Sequence, residues 1–138
     1  MTHRRHIHKF RAERGQTAVE FALVAPVLIL LLLAVVQMGI AFNNYLAVTD
    51  AARAGARKAI VARLAGLTTT DITQAVQSAA ADLDRSKLGV AVADASDPTW
   101  STAGSDITVT VTYPYSISLL GLVVSSGNLT STMTDRLE

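Results

Sequence analysis

A run of apolar residues near the N-terminus constrains this chain more than any other feature. Residues 21–42 form an apolar stretch of 22 residues whose only strongly polar member is Gln37. An α-helix of that length is roughly 33 Å long, which matches the hydrocarbon core of a bilayer at about 30 Å. The sequence therefore predicts a membrane-spanning helix rather than a helix of a soluble core.

The charges around this run predict its orientation. The first 15 residues carry five arginine or lysine side chains against one acid, Glu13, and no positive charge follows the run until Arg53. Basic residues next to a span stay on the cytoplasmic side, so we expect the N-terminus inside the cell and the C-terminal part outside the membrane. A cleaved secretory signal is an alternative, but its apolar region is usually only about 7–15 residues long.

Length and composition limit the rest of the chain to one small domain. We divide the chain into a basic leader at residues 1–15, a transmembrane helix at 16–44 and an outer domain at 45–138. The sequence has no cysteine, which excludes disulfides and thiolate metal sites. Without the leader the formal net charge changes from +1 to −3, with 7 basic and 10 acidic residues. No basic stripe with interleaved aromatic residues remains, so we expect no nucleic-acid partner.

Patterns typical of catalysis or metal binding are absent from the predicted outer domain. All three histidines lie among the first eight residues, so no histidine base is available beyond the leader. Asp82 and Asp84 are two positions apart on a predicted helix and point in different directions. Asp94 and Asp97 lack the ligand spacing of a calcium loop, and a solvated turn is the preferred interpretation. We therefore expect no enzymatic activity, no cofactor and no metal.

Periodicity predicts an α+β domain. The helical pattern continues past the membrane run to about residue 65, where Gly66 provides a stop, and a second helix is predicted at 70–84. The period then changes to two, as expected for strands. We predict about three strands in a small antiparallel sheet, at residues 88–93, 107–113 and 128–137. Pro114 should end or edge the second strand, and residues 117–124 form an apolar connection of unassigned form.

The long helix contains positions that predict bending and close contact. Pro26 removes one backbone hydrogen bond, which predicts a kink, although membrane helices also tolerate proline without a functional kink. Small side chains permit close helix approach, so we expect contact with a neighbouring subunit at Ala51, Ala52, Gly55 and Ala56. Three basic residues are interpreted as a solvated face, with pairing to adjacent subunits as the alternative: Arg53, Arg57 and Lys58.

The N-terminal block resembles a known family. Residues 14–22 read Arg-Gly-Gln-Thr-Ala-Val-Glu-Phe-Ala and lead into the apolar run, and residues 50–57 read Asp-Ala-Ala-Arg-Ala-Gly-Ala-Arg. With the arginine-then-glutamate ending at 136–138, these segments resemble the TadE/TadG-like proteins, pilin-like minor components of the tight-adherence (Flp, type IV-like) pilus system. The resemblance covers the leader and roughly residues 14–63, and it implies a pilin-like fold.

The resemblance also implies a processing site. A prepilin peptidase would cut between Gly15 and Gln16 on the cytoplasmic face, so that Glu20 and Phe21 become the fifth and sixth residues of the mature chain. Glycine before the cut bond lets the backbone enter a tight protease site in extended form. The Glu20 carboxylate would meet the N-terminal amine of a neighbouring subunit, because a carboxylate near lipid is unfavourable unless paired. Solvation of Glu20 by lipid headgroups is the alternative.

By the same resemblance, the function would be that of a minor pilin or pseudopilin in pilus assembly and surface adhesion. The expected partners are a prepilin peptidase, other pilin-like subunits, the assembly machinery and the lipid bilayer of the bacterial cytoplasmic membrane. A second hypothesis is an uncleaved single-span protein whose small outer domain binds a ligand or acts as a scaffold. A third is a secreted protein released from its signal.

Overall fold

The computed structural model of the chain describes residues 7–94 and 103–137. Within these ranges the helices are α1 (Ile7–Ile60), α2 (Ala62–Ala65) and α3 (Thr69–Ala79), followed by a 3₁₀ turn (Arg85–Lys87). The strands are β1 (Gly89–Asp94), β2 (Asp106–Leu119) and β3 (Leu122–Arg136), in the order β1-β2-β3 with antiparallel pairing throughout. The predicted α+β class with a long N-terminal helix is confirmed.

The helix α1 lies in two different environments. It has 54 residues and is continuous through Pro26, so the predicted kink at that residue stays a prediction. At 1.5 Å per residue it is roughly 80 Å long. Most side chains at residues 15–33 are exposed, whereas Val48, Ala52 and Ala59 in the C-terminal half are fully buried. The same helix is therefore an exposed apolar rod at one end and a core element at the other.

The core lies between α1, α3 and one face of the sheet. Helix α3 contributes Ile72 and Val76, both fully buried. In β2, burial alternates as expected for a strand with one covered face, and the fully buried residues are Ile107, Val109 and Val111. The opposite face carries threonines, whose hydroxyl groups pair across β2 and β3 at 2.9 Å (Thr108 and Thr134) and 3.2 Å (Thr110 and Thr132). The alternation predicted for residues 107–113 thus separates the core from the outer face.

The helix predicted at residues 70–84 corresponds to α3, and its bounds differ from the prediction. It begins at Thr69 because the Asp71 carboxylate accepts hydrogen bonds from the backbone N–H (2.7 Å) and the hydroxyl group (2.8 Å) of Thr68. It ends at Ala79, and the chain then turns toward Asp84, whose carboxylate accepts bonds from the N–H and hydroxyl of Ser86 at 3.0 and 2.7 Å. Such side chain-to-backbone bonds compete with helix continuation. The same hydrogen bonds hold the pKa of both carboxyl groups below their ordinary value.

The second and third strands are longer than predicted and form one extended hairpin. β2 continues through Pro114 to Leu119 and turns directly into β3 at Leu122. β1 pairs with β2 only as far as Thr112, so Pro114 lies where one edge of β2 has no neighbouring strand and proline is tolerated. The apolar connection at residues 117–124 is therefore the tip of this hairpin.

The prediction that four small residues of α1 contact a neighbouring subunit needs a correction. Ala51, Ala52, Gly55 and Ala56 are buried within their own chain. A Cβ atom added to Gly55 would lie 2.6 Å from Cγ2 of Val76 and 3.0 Å from Cγ1 of Val109. The predicted close approach does occur, but it joins α1 to its own α3 and β2. These residues are therefore already covered and do not offer a surface to a neighbouring subunit.

Replacing Gly55 with alanine should destabilise the outer domain. The added methyl group overlaps the stiff Val76 side chain, and overpacking of this kind typically costs about 1–3 kcal/mol. Gly39→Ala is the matched control, because a Cβ there meets no atom within 4 Å. Thermal unfolding in detergent micelles, followed by circular dichroism, should show a lower midpoint for the Gly55 variant alone. Equal midpoints for the two variants would contradict the assigned close packing.

Candidate functional site

The predicted processing and assembly residues lie on one exposed stretch of α1. Gly15, Gln16, Glu20 and Phe21 are all helical, and all are exposed. The side-chain amide of Gln16 donates to Oε1 of Glu20 at 3.1 Å, which is the geometry expected one helical turn apart. The carboxylate at the lip of the apolar run therefore has a partner within its own helix.

The peptide bond between Gly15 and Gln16 is part of a continuous helix. A peptidase that binds its substrate in extended form must open the helix at this point. Glycine makes that opening easier, because it is less favourable than alanine in a helix interior by about 1 kcal/mol. Among the described residues, no atom beyond the adjoining helix backbone lies within 4 Å of the position that a Cβ on Gly15 would occupy. Cleavage at this bond stays a prediction.

Most of the apolar run has no protein cover. Among the described residues, one helical segment is long and apolar enough to cross a membrane, Gly15–Ile60 of α1. Its most apolar stretch of 18 residues is entirely unburied. Phe21 is 69% exposed and Leu32 is 64% exposed, far above what an apolar side chain shows in a folded core. A contiguous apolar surface of this size requires either lipid or other protein chains around it.

Gln37 has a specific partner that sequence reasoning missed. Its side-chain nitrogen donates to the backbone oxygen of Ser118 at 3.2 Å, in the last part of β2. The two residues are 81 positions apart, so no local pattern could have revealed the contact. The polar exception in the apolar run is therefore a tether between α1 and the β2–β3 hairpin.

A cleft lies beside this tether. Its volume is about 390 Å³, and it opens between α1 and β2. Its polar lining includes Asn44, Lys87, Tyr113 and Tyr115. A charged side chain and two aromatic side chains thus lie near the C-terminal end of the apolar run, whereas the run itself contains no charged residue.

The basic residues on the outer part of α1 face solvent. Arg53 pairs with Asp50 one turn earlier at 3.2 Å, and both side chains are more than half exposed. Arg57 and Lys58 are also exposed. An exposed pair contributes little stability, so this arrangement fits the interpretation of a solvated face.

Within residues 7–94 and 103–137, no group of three or more His, Cys, Asp or Glu residues lies close enough to hold a metal ion. Asp84 binds Ser86 and pairs with Lys87 at 3.5 Å, which gives it a structural role at the 3₁₀ turn. Asp97 lies outside the described residues. The expectation that the protein is not an enzyme stays a prediction.

Residues 15–57 match the family model of TadE-like proteins. This confirms the resemblance inferred from the N-terminal block. The matched segment lies entirely within α1 and covers about a third of the chain, so it includes the exposed apolar run but none of the strands. No curated protein and no solved structure matches the chain.

Proposed function

We propose that this protein is a minor pilin or pseudopilin of a tight-adherence pilus assembly system. In this role it is anchored in the bacterial cytoplasmic membrane by α1, with the leader inside the cell and the α+β domain outside. Two findings support the proposal: the TadE-like match over residues 15–57, and a candidate membrane span, Gly15–Ile60, that includes the matched segment. The basic leader supports the orientation.

The observation that carries the proposal is the continuity of α1. The exposed N-terminal half and the buried C-terminal half belong to one uninterrupted helix. The exposed half can therefore exchange lipid for the exposed halves of other subunits without any change in the outer domain. Helix association in lipid depends on packing and polar contacts rather than on burial from water, so such an exchange has a small net driving force. That property suits a subunit that is stored in a membrane and drawn into an assembly.

Glu20 supplies the polar contact in this mechanism. After cleavage at Gly15, the new amine would be that of Gln16, one helical turn from Glu20 in the same chain. In an assembly the carboxylate of Glu20 would pair with the corresponding amine of a neighbour. This pairing would remove the penalty for a charged group surrounded by apolar side chains. It would also fix the axial offset between the two helices, because their apolar runs contain no charged residue that could do so.

The alternative is a permanently anchored protein whose outer domain binds a ligand or acts as a scaffold. One observation favours it: α1 is already helical on both sides of the Gly15–Gln16 bond. An uncut chain would keep its basic leader as a cytoplasmic anchor. The two functions differ in whether the first 15 residues are removed.

Cleavage is tested by intact mass. When the chain is co-expressed with a cognate prepilin peptidase, we expect a product that begins at Gln16, because Gly15 makes the helix easier to open at this bond. Gly15→Arg should prevent cleavage by placing a long side chain before the cut bond. The control is the same expression with a catalytically inactive peptidase. Full-length protein in the presence of an active peptidase would favour the anchored alternative.

The pairing of Glu20 is tested by Glu20→Gln. Membrane insertion and cleavage should be unchanged, whereas pilus assembly and surface attachment should fall, since losing one partner of a buried pair commonly costs about 3–5 kcal/mol. Asp50→Asn is the matched control, because it removes an exposed carboxylate from the same helix. Assembly would be measured by the amount of sheared surface pili and by surface attachment of cells. Equal assembly in the two variants would support headgroup solvation of Glu20.

A further inference from the structure

The β2–β3 hairpin runs beside α1 as far as the apolar run. Near its base, Val109 lies against Gly55, and near its tip Ser118 bonds Gln37. Eighteen helical residues and nine strand residues separate these two points, and they correspond to about 27 Å and about 30 Å. The agreement between the two lengths shows that β2 follows the helix axis in the opposite direction. The hairpin tip therefore points toward the N-terminal half of α1.

The depth of the tip follows from the same geometry. Gln37 lies five residues inside the end of the apolar run at Phe42, which corresponds to about 7 Å. The turn at Leu120 is two strand residues beyond Ser118, which adds roughly 7 Å. The tip thus reaches about 14 Å past Phe42, close to half of a hydrocarbon core of about 30 Å.

The tip has the composition of a lipid-facing segment. No charged residue occurs between Asp106 and Asp135, and the salt bridge of the hairpin joins Asp106 to Arg136 at the opposite end, at 3.2 Å. Four apolar side chains near the turn are 64–76% exposed: Leu120, Leu122, Val123 and Val124. In a soluble domain, such a contiguous exposed apolar patch marks a site of contact with a membrane or another molecule.

The turn itself is unusual for a hairpin in water. Its two residues, Leu120 and Gly121, have φ values of 51° and 83°. Tight hairpin turns with two positive φ angles strongly favour asparagine, aspartate or glycine at both positions. Leucine at the first position is strained relative to those residues, and it adds an apolar side chain at the outermost point. An apolar environment at the tip accounts for this choice.

Groups typical of a membrane interface lie at the expected height. The cleft between α1 and β2 is lined by Tyr113, Tyr115, Lys87 and Asn44, toward the C-terminal end of the apolar run. Tyrosine is enriched at the level of lipid headgroups, and lysine interacts there with phosphate groups. The order from base to tip is therefore charged, then aromatic, then apolar, as in a segment that crosses from water into lipid.

Gln37 reduces the main obstacle to insertion. β1 ends its pairing at Thr112 and β3 is an edge strand, so the last part of the hairpin has two free edges whose backbone groups would be unsatisfied in lipid. The Gln37 side chain donates to the carbonyl group of Ser118 on the β2 edge. The same bond gives a partner to one N–H of the strongly polar side chain in the apolar run.

We propose that residues 119–124 insert into the lipid leaflet that the C-terminal part of the apolar run crosses, as a second membrane anchor beside α1. Lipid is the occupant that the geometry favours, because the apolar side chains next to the turn are exposed and most of the adjoining apolar run has no protein cover. Lipid that surrounds α1 at this depth surrounds the tip as well. The assignment needs α1 to span a membrane, but it depends on neither cleavage nor pilus assembly.

A single helix leaves the outer domain free to rotate about the helix axis. Two anchors of unequal depth would fix the orientation of the domain relative to the membrane. Withdrawal of the protein into an assembly would then require the tip to leave the lipid together with α1. The hairpin would thereby couple the position of the domain to the position of the helix.

Single-cysteine labelling tests the proposal, because the chain has no native cysteine. The full chain is reconstituted at high dilution into phosphatidylcholine–phosphatidylglycerol vesicles, with a nitroxide label at one of two exposed positions near the turn, Val123→Cys or Val124→Cys. Leu31→Cys in the span is the lipid reference, and Thr134→Cys near the base of the same strand is the water reference. Collision rates are measured with oxygen, which prefers lipid, and with a water-soluble nickel complex.

We expect both tip labels to show an oxygen-to-nickel ratio several-fold above that of Thr134→Cys and close to that of Leu31→Cys. Water-like ratios at both tip positions, with a lipid-like ratio at Leu31→Cys, would overturn the proposal and leave the membrane span intact. If a tip label is shielded from both reagents and couples magnetically to the label of another chain, a second copy covers the tip, and the proposal is wrong. A water-like ratio at Leu31→Cys would overturn both the inference and the membrane anchor of the proposed function.

Discussion

The close approach of α1 to α3 and β2 at Gly55 is the contact on which the rest of the fold depends. Alanine and glycine on this part of α1 let the helix lie directly against Val76 and Val109, so that a thin layer of side chains forms a complete core. A larger residue at Gly55 would separate the helix from both elements at once. Because the sheet is held this close, β2 is also held alongside the helix axis.

That alignment determines what the hairpin can reach. β1 is short and ends its pairing at Thr112, but β2 and β3 continue together beyond it along α1. The extended pair would have no support in the sheet, and the hydrogen bond from Gln37 to Ser118 connects it to the helix instead. The domain is therefore joined to the apolar run at two levels, by the continuous helix and by the tip of the hairpin.

The residues of the proposed function differ in kind from those of an enzyme site. In that role Gly15, Gln16 and Glu20 would act through exposure, helix opening and charge at the edge of the apolar run. A pilin-like role uses such features directly, because assembly replaces one apolar environment of the helix with another. In the proposed role, the buried half of α1 would keep the outer domain unchanged during that exchange, since its small residues are already covered within the chain.

The sequence by itself determined the features that depend on local patterns: the candidate span from its apolar length, the end of α2 at Gly66, the alternation of residues 107–113, and the family block around Gly15. Only the tertiary structure decided which surface the small residues of α1 contact, because spacing shows that close approach is possible but not which element approaches. It also decided that β2 continues through Pro114, since proline interrupts a strand only where a neighbour needs its N–H group. The partner of Gln37 lies 81 positions away, and a contact over that distance is set by the packing of the whole domain.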